Sequence, residues 1–389
     1  MKLTRLAFMV ICLTSLAGSC IFDYIPATEK GEKDVVLVVR GDILIGEETT
    51  VSITYMSGIG AASTGCQLVD AVYVESSEGT QYRGEADNSH IYHIDTRPAV
   101  ENAEYRLVIE TAGKVYESDW QPVLQAAAID SISFSISDDA STMTIEVSSS
   151  GSPESDHRYY RWIARQTWKY HAASRPVHYY VPPGEVTLDG MVSPSGGIYS
   201  YPLDVEDLYF CWKSAEVSDL LLGSTSHYSE NRFIRHALYT MDCHDMRTQY
   251  LYSVQLIQEA IPEDAWRYYE AVRRNSSDVG GLFSPQPTEV HGNLHNRTNP
   301  GEWVIGYVCV TRPAVHRHFI DMRNLGFHKI NRSWETFEDF KVDSQYWEDY
   351  WRAGYLVSRV EEVVFWASKR CLDCRAQGGT KDRPDWWQD

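Results

Sequence analysis

Residues Tyr105–Ser118 read YRLVIETAGKVYES. Tyr105, Leu107 and Ile109 alternate with Arg106 and Glu110, and Ala112-Gly113 follows as a turn signal. Successive strand side chains point to opposite faces, so a period of two marks a strand with one face in a core. The same period recurs upstream. Val35, Leu37 and Val39 form one apolar set, Val51, Ile53 and Tyr55 alternate with Ser52 and Thr54, and Val72 and Val74 lie in another. Gly46-Glu47-Glu48, Ser57-Gly58-Ile59-Gly60 and Ser77-Glu78-Gly79 punctuate them. Short strands at this spacing predict an immunoglobulin-like or transthyretin-like β-sandwich over residues 34–125.

A second set of strands starts near Ile129. Ile132, Phe134 and Ile136 alternate with Ser, a Ser137–Ser141 turn follows, and then Met143, Ile145 and Val147 alternate with polar residues. The run Tyr159–Tyr170 is a long strand whose even face carries Tyr160, Trp162, Ala164, Trp168 and Tyr170. Further strands are expected at 232–238, 250–257 and 302–310. One helix is expected over about 262–275. Pro262 with Glu263 and Asp264 opens it, and Arg273 and Arg274 close it, each charge complementing the helix dipole. A second helical turn is expected within 343–353. The fold class is mainly β, with the smaller sandwich at 34–125 followed by a larger β domain at 126–389. That domain holds the helix as an insertion and ends in a disulfide-pinned tail.

The chain has 389 residues and a formal net charge of −19. So acidic a chain lacks the cationic field that nucleic-acid phosphates require. Mean hydropathy is −0.36, and no apolar run of membrane-spanning length follows residue 20. The first nineteen residues read as a signal peptide, with Lys2 and Arg5 before the apolar Leu6–Leu16. Without them the charge becomes −21, because both removed charges are positive. Ala17-Gly18-Ser19-Cys20 resembles the lipobox of bacterial lipoproteins, which implies lipidation of Cys20. Residues 20–33 then form a lipid anchor and polar tether. Beyond Cys12 and Cys20 stand Cys66, Cys211, Cys243, Cys309, Cys371 and Cys374. In an exported protein all six are disulfide candidates. Cys371 and Cys374 form a CxxC. No second CxxC completes a zinc site, so the expectation is structural disulfides, with one or both thiols bonded to distant cysteines.

Four pieces carry a family likeness. They are Tyr105–Ser118 with Ile129–Ile132; Tyr159–Trp162 with Thr167–Tyr170; Gly280–Phe283 through Pro287 and Gly292–Leu294 to Val304–Tyr307; and Cys371–Arg375 with Gly378–Thr380 and Pro384–Trp386. With the lipobox they resemble a domain-of-unknown-function family of Bacteroidota outer-membrane lipoproteins, often encoded beside TonB-dependent transporters. The resemblance runs from about Cys20 to Trp387. It implies an outer-membrane location and a β-barrel transporter as partner, and it transfers no catalytic residue. Surface-directed members carry several acids after the lipidated Cys. Here only Asp23 stands within Ile21–Tyr24, which leaves the surface and the periplasmic face both open.

Candidate chemistry is sparse. His316-Arg317-His318 sets two imidazoles on one strand face near Asp321, without an identifiable third metal ligand. His291 and His295 are four apart, but Gly292, Asn293 and Pro287 read as loop, and no HExxH occurs. No GxSxG elbow or phosphate loop is present, and Glu361 and Glu362 are adjacent and diverge on a strand. No metal, cofactor or catalytic residue is assigned. The aromatic residues (12 Trp, 25 Tyr, 11 Phe) are the functional lead. Tyr160, Trp162, Trp168 and Tyr170, with Tyr179 and Tyr180, are candidates for a stacking platform for sugars or peptides, or else for core. Trp386 and Trp387 are candidates for partner contact. Trp347, Tyr350 and Trp351 share one face of the second helix. The expected function is a lipid-anchored, non-enzymatic outer-membrane accessory protein that captures a ligand or partners a TonB-dependent transporter. The alternatives are a secreted glycan- or peptide-active enzyme and a structural or adhesive envelope protein.

Overall fold

A computed structural model describes residues 36–56, 69–87, 90–151, 157–202, 207–277, 290–325 and 337–388. Cys20, the 20–33 tether and Cys66 lie outside them. The first strands are β1 (Val36–Arg40), β2 (Ile43–Leu44), β3 (Glu48–Met56), β4 (Val69–Ser76), β5 (Gln81–Ala86), β6 (Ile91–Asp95), β7 (Glu104–Thr111), β8 (Lys114–Ser118), β9 (Gln121–Pro122) and β10 (Leu124–Gln125). In β7 the alternation behaves as the sequence predicts: Tyr105, Leu107 and Ile109 are buried, while Arg106 and Glu110 are only partly so.

β3 pairs antiparallel with β1 and β6, and β7 pairs antiparallel with β4 and β8. β5 changes sheets. Its Arg83 opposes Tyr73 of β4, and its next residue, Gly84, opposes Ile94 of β6. A Cβ at Gly84 would lie 3.0 Å from Ile94 Cγ1 and 3.2 Å from the Val72 carbonyl oxygen. The crossing therefore has little room for a side chain. Two three-stranded layers joined by a switching strand form the expected immunoglobulin-like sandwich. Tyr105 adds the tyrosine corner of such folds. Its hydroxyl donates to the Val100 carbonyl at 2.7 Å and accepts from the Val100 N–H at 2.9 Å.

Next come β11 (Ala128–Ile136), β12 (Thr142–Ser150), β13 (Tyr159–His171), β14 (His178–Val181), β15 (Gly197–Ser200), β16 (Phe210–Glu216), β17 (Leu221–Ser224), β18 (Arg232–Asp242) and β19 (Leu251–Ile261). Helix α1 (Glu263–Ser277) follows, then β20 (Leu294–Asn296), β21 (Val304–Ile305), β22 (Val310–Arg312) and β23 (Ala314–Asp321). The sheets β11-β12-β18 and β16-β13-β19-β23 face each other across a second core. Tyr160, Trp162, Trp168 and Tyr170 fill that core and are at most 5 % exposed. They are not a stacking platform on the surface, because β13 is central in its sheet and the β11-β12-β18 layer covers its even face. Three of their polar tips are satisfied internally. Tyr160 OH bonds Asn231 Oδ1 at 3.0 Å, Trp162 Nε1 bonds Gln258 Oε1 at 2.8 Å, and Tyr170 OH bonds the Cys374 carbonyl at 2.7 Å.

The cores do not divide at residue 125. β20 pairs with β8, β21 runs parallel to β1, and β22 runs parallel between β2 and β10. Leu294, Val308 and Val310 are members of the first core. Residues 294–312, expected in the second domain, thus complete the first sandwich. Gly306 allows the close approach: at φ +147°, a Cβ there would lie 2.4 Å from the Val39 carbonyl oxygen.

The C-terminal elements are α2 (Trp347–Arg352), within the expected 343–353, then β24 (Asp339–Lys341) before it, β25 (Tyr355–Val360), β26 (Val364–Ser368) and α3 (Lys369–Leu372). β26 lies between β24 and β25. Trp366, Val342, Val357 and Val364 form a small core that also takes Tyr180 and Ile198 from the β14-β15 hairpin.

Candidate functional site

Among the described residues the β14-β15 hairpin has no third strand of its own. It leans instead on the C-terminal sheet, and an aromatic cleft of about 300 Å³ opens at that contact. One wall comes from β14 and the residues after β15, with His178, Tyr179, Tyr180 and Tyr201. The other comes from Trp351 of α2, Trp366 of β26 and Arg375. Tyr180 is the hinge between them, at 5.8 Å from Trp366, 6.4 Å from Trp351 and 6.2 Å from Trp347. The last two contacts are edge-on, a favoured geometry for ring quadrupoles. Tyr179 packs at 5.0 Å on Tyr201, and its hydroxyl accepts the Leu188 N–H at 3.0 Å. That bond holds the loop between the hairpin strands against the cleft.

The cleft holds unmet polar atoms, as the second core does at Trp168 Nε1, but here they line an opening. Trp366 Nε1 and His178 Nδ1 are buried and have no hydrogen-bond partner. A buried polar group without a partner costs about 1–3 kcal/mol, which a bound ligand would recover. Trp351 keeps 40 % of its surface exposed, unlike the fully buried Trp366. Arg375 is committed elsewhere: its Nε and Nη2 bond Asp373 Oδ1 and Oδ2, each at 2.9 Å. Burial alone would raise the Asp373 pKa, but the hydrogen bonds and charge of Arg375 outweigh it and hold the carboxyl below its usual range. Burial raises the phenols of Tyr180 and Tyr201, so both stay protonated as neutral hydrogen-bonding groups.

A disulfide buttresses the cleft. Cys211 of β16 bonds Cys374, 163 residues later. The CxxC cysteines are therefore not joined to each other, and Cys374 has the distant partner expected for at least one of them. Cys243 and Cys309 are buried and Cys371 is partly so. The other contact candidates separate. Trp387 is buried edge-on to Phe319 at 5.4 Å, so it packs inside rather than forming the expected contact surface. Trp386 is 40 % exposed under the Arg317 guanidinium, 3.4 Å from its ring centre. His316 and His318 lie on β23, but among the described residues no three His, Cys, Asp or Glu side chains gather as a metal site. His295 lies 3.4 Å from Glu117.

A buried ion cluster ties the sandwiches together. Arg161 of β13 bonds Glu259 of β19 through Nε at 2.7 Å and Tyr269 of α1 through Nη1 at 2.7 Å, and its Nη2 bonds Asp42. Asp42 also accepts the Cys309 N–H at 2.6 Å. Burial pushes Glu259 up to about 7 despite Arg161, and it raises Asp42 as well. The Cys309 thiol is also pushed up, by burial and by Asp42. The cluster joins the first sandwich, the second and α1, and acts as their joint.

A family model described as "Domain of unknown function (DUF4249)" matches residues 23–317. The chain belongs to the DUF4249 family. No curated protein matches it. The DUF4249 match takes in the first sandwich, nearly all of the second, and the His178–Tyr201 wall of the cleft. It ends before α2, β24–β26 and Cys374, which supply the other wall and the disulfide.

Sequence reasoning flagged Tyr179, Tyr180 and Trp351 as members of separate aromatic groups. Arg375 stands in the Cys371–Arg375 motif, but nothing local marks it, Trp366 or His178 as cleft residues, because the two walls meet across roughly 170 residues of chain.

Proposed function

We propose that this protein is a lipid-anchored outer-membrane accessory protein, held by Cys20, that captures a small ligand in the aromatic cleft beside a TonB-dependent β-barrel transporter. The cleft carries the reading. It combines exposed and buried aromatic faces with unmet hydrogen-bonding atoms, the composition of small-ligand sites. These groups stack and hydrogen-bond, which suits binding rather than turnover. The lipobox-like Ala17–Cys20 and the family resemblance support the anchor and the partner.

Fractionation of cells carrying Cys20→Ala tests the anchor: the wild type is expected with the outer membrane and the variant in the soluble fraction. Retention of the variant in the membrane would overturn the anchor. Detergent extraction of native outer membranes, with the wild-type chain as bait, tests the partner. A β-barrel transporter is expected to co-purify, and repeated failure to recover one sinks the partnership.

A further inference from the structure

We infer that the aromatic cleft takes a neutral saccharide, with a sugar ring on Trp351 and its hydroxyls meeting Trp366 Nε1 and His178 Nδ1. This rests on the capture reading and names its ligand class.

Charge is the first constraint. Arg375 is the one guanidinium among the described lining residues, and Asp373 already meets it with two hydrogen bonds. Asp373 is almost fully buried. An anionic ligand that drew Arg375 away would leave that buried carboxylate with only the Lys369 ammonium, 3.8 Å away, an unfavourable exchange. A cation finds no carboxylate in the described lining to neutralise it. A neutral ligand meets neither obstacle.

Hydrogen bonding is the second. Indole Nε1–H only donates, whereas the role of imidazole Nδ1 follows its tautomer. A hydroxyl both donates and accepts, so adjacent sugar hydroxyls satisfy both atoms whichever nitrogen of His178 carries the proton. A hydrocarbon ligand would leave both atoms unmet.

Shape is the third. Trp351 presents an exposed indole that its edge-on contact with Tyr180 fixes in place. The negative face of such a ring attracts the C–H face of a pyranose. A volume of about 300 Å³ lies at the lower end for small-ligand sites. It fits one ring, or the end of a longer chain that continues into solvent.

The test is calorimetric titration of the mature soluble chain with maltotriose, cellotriose and triacetylchitotriose. The tripeptide Ala-Phe-Ala and octanoate serve as the competing chemistries. At least one trisaccharide is expected to bind. Trp351→Ala should weaken it about tenfold and His178→Leu about fivefold, with melting temperatures near that of the wild type. Trp366→Phe is the companion variant, since it removes Nε1 and keeps an aromatic ring. Binding of the tripeptide or octanoate alone, weakened by Trp351→Ala, would overturn the saccharide and leave the capture reading standing. If none of the five probes binds, capture at this cleft fails with it. Trisaccharide binding indifferent to all three variants would also overturn the inference, because it would place the sugar elsewhere.

Discussion

Glu259 and Asp42 share one guanidinium in the interior. Two carboxylates against one cation leave a surplus negative charge where water cannot solvate it. Burial therefore drives Glu259 from its ordinary 4.5 up to about 7, against the pull of Arg161. The folded pKa lies above the unfolded one, so between these values the folded state holds a proton that the unfolded chain releases. The stability from this proton is complete below about pH 4.5 and is lost as pH rises through about 7. Asp42 is raised too and acts with the same sign. Glu259→Gln mimics the protonated form. Urea unfolding at pH 5 and pH 8 should show the wild type losing up to ~3 kcal/mol more than the variant between the two. An equal loss in both would remove Glu259 from the pH response. Within the first sandwich, Tyr105→Phe deletes both hydrogen bonds to Val100. It should lower stability by about 1–2 kcal/mol, read as a shift in the urea midpoint at unchanged slope.

Single elements differ in how openly the sequence declares them. β7 is legible because one of its faces meets a core and the other is wetter, so its period of two shows in the side chains themselves. Helix α1 is legible from Pro262, the acids of its first turn and the cations of its last. β13 is legible as a strand but not in its role. An aromatic face looks the same whether water or an opposing sheet covers it, and only the β11-β12-β18 layer decides. β20, β21 and β22 are two or three residues long, too short for any period to emerge. Their pairing follows from register with strands some 180 to 270 positions earlier. The tail shows the same limit: CxxC announces two thiols, but not that Cys374 bonds Cys211. That bond closes a loop of 163 residues, and loop-closure entropy gives it ~3–5 kcal/mol. Cys211→Ser with Cys374→Ser should lower the melting temperature and loosen the β24–β26 wall, exposing Trp351 and the tail to limited proteolysis. Adding reductant should move the wild type toward the double variant and leave the variant unchanged. Equal melting temperatures without reductant would show that packing alone holds the tail.

At the scale of the whole molecule, the immunoglobulin-like sandwich looks from its sequence like a unit ending near residue 125, and its strand arrangement agrees. Its core does not. Leu294, Val308 and Val310 lie inside it, β20 covers the free edge of β8, and β21 covers that of β1. β22 holds β2 and β10 in one small parallel sheet. Asp42 would also lose Arg161, because that residue belongs to β13. A fragment covering residues 34–125 thus presents two open strand edges, an incompletely filled core and a carboxylate shaped for a buried cation. Open edges and exposed apolar faces favour association over folding. The fragment is expected to aggregate or to give a poorly dispersed amide spectrum. The full chain should instead unfold with both sandwiches coupled through the 294–312 segment. Tryptophan fluorescence reports the second core, where Trp162 and Trp168 lie. The amide resonances of Leu107 and Ile109 report the first. Coincident urea transitions by the two probes are expected. A stable, dispersed 34–125 fragment with a transition of its own would show that the later strands decorate a finished domain rather than complete it.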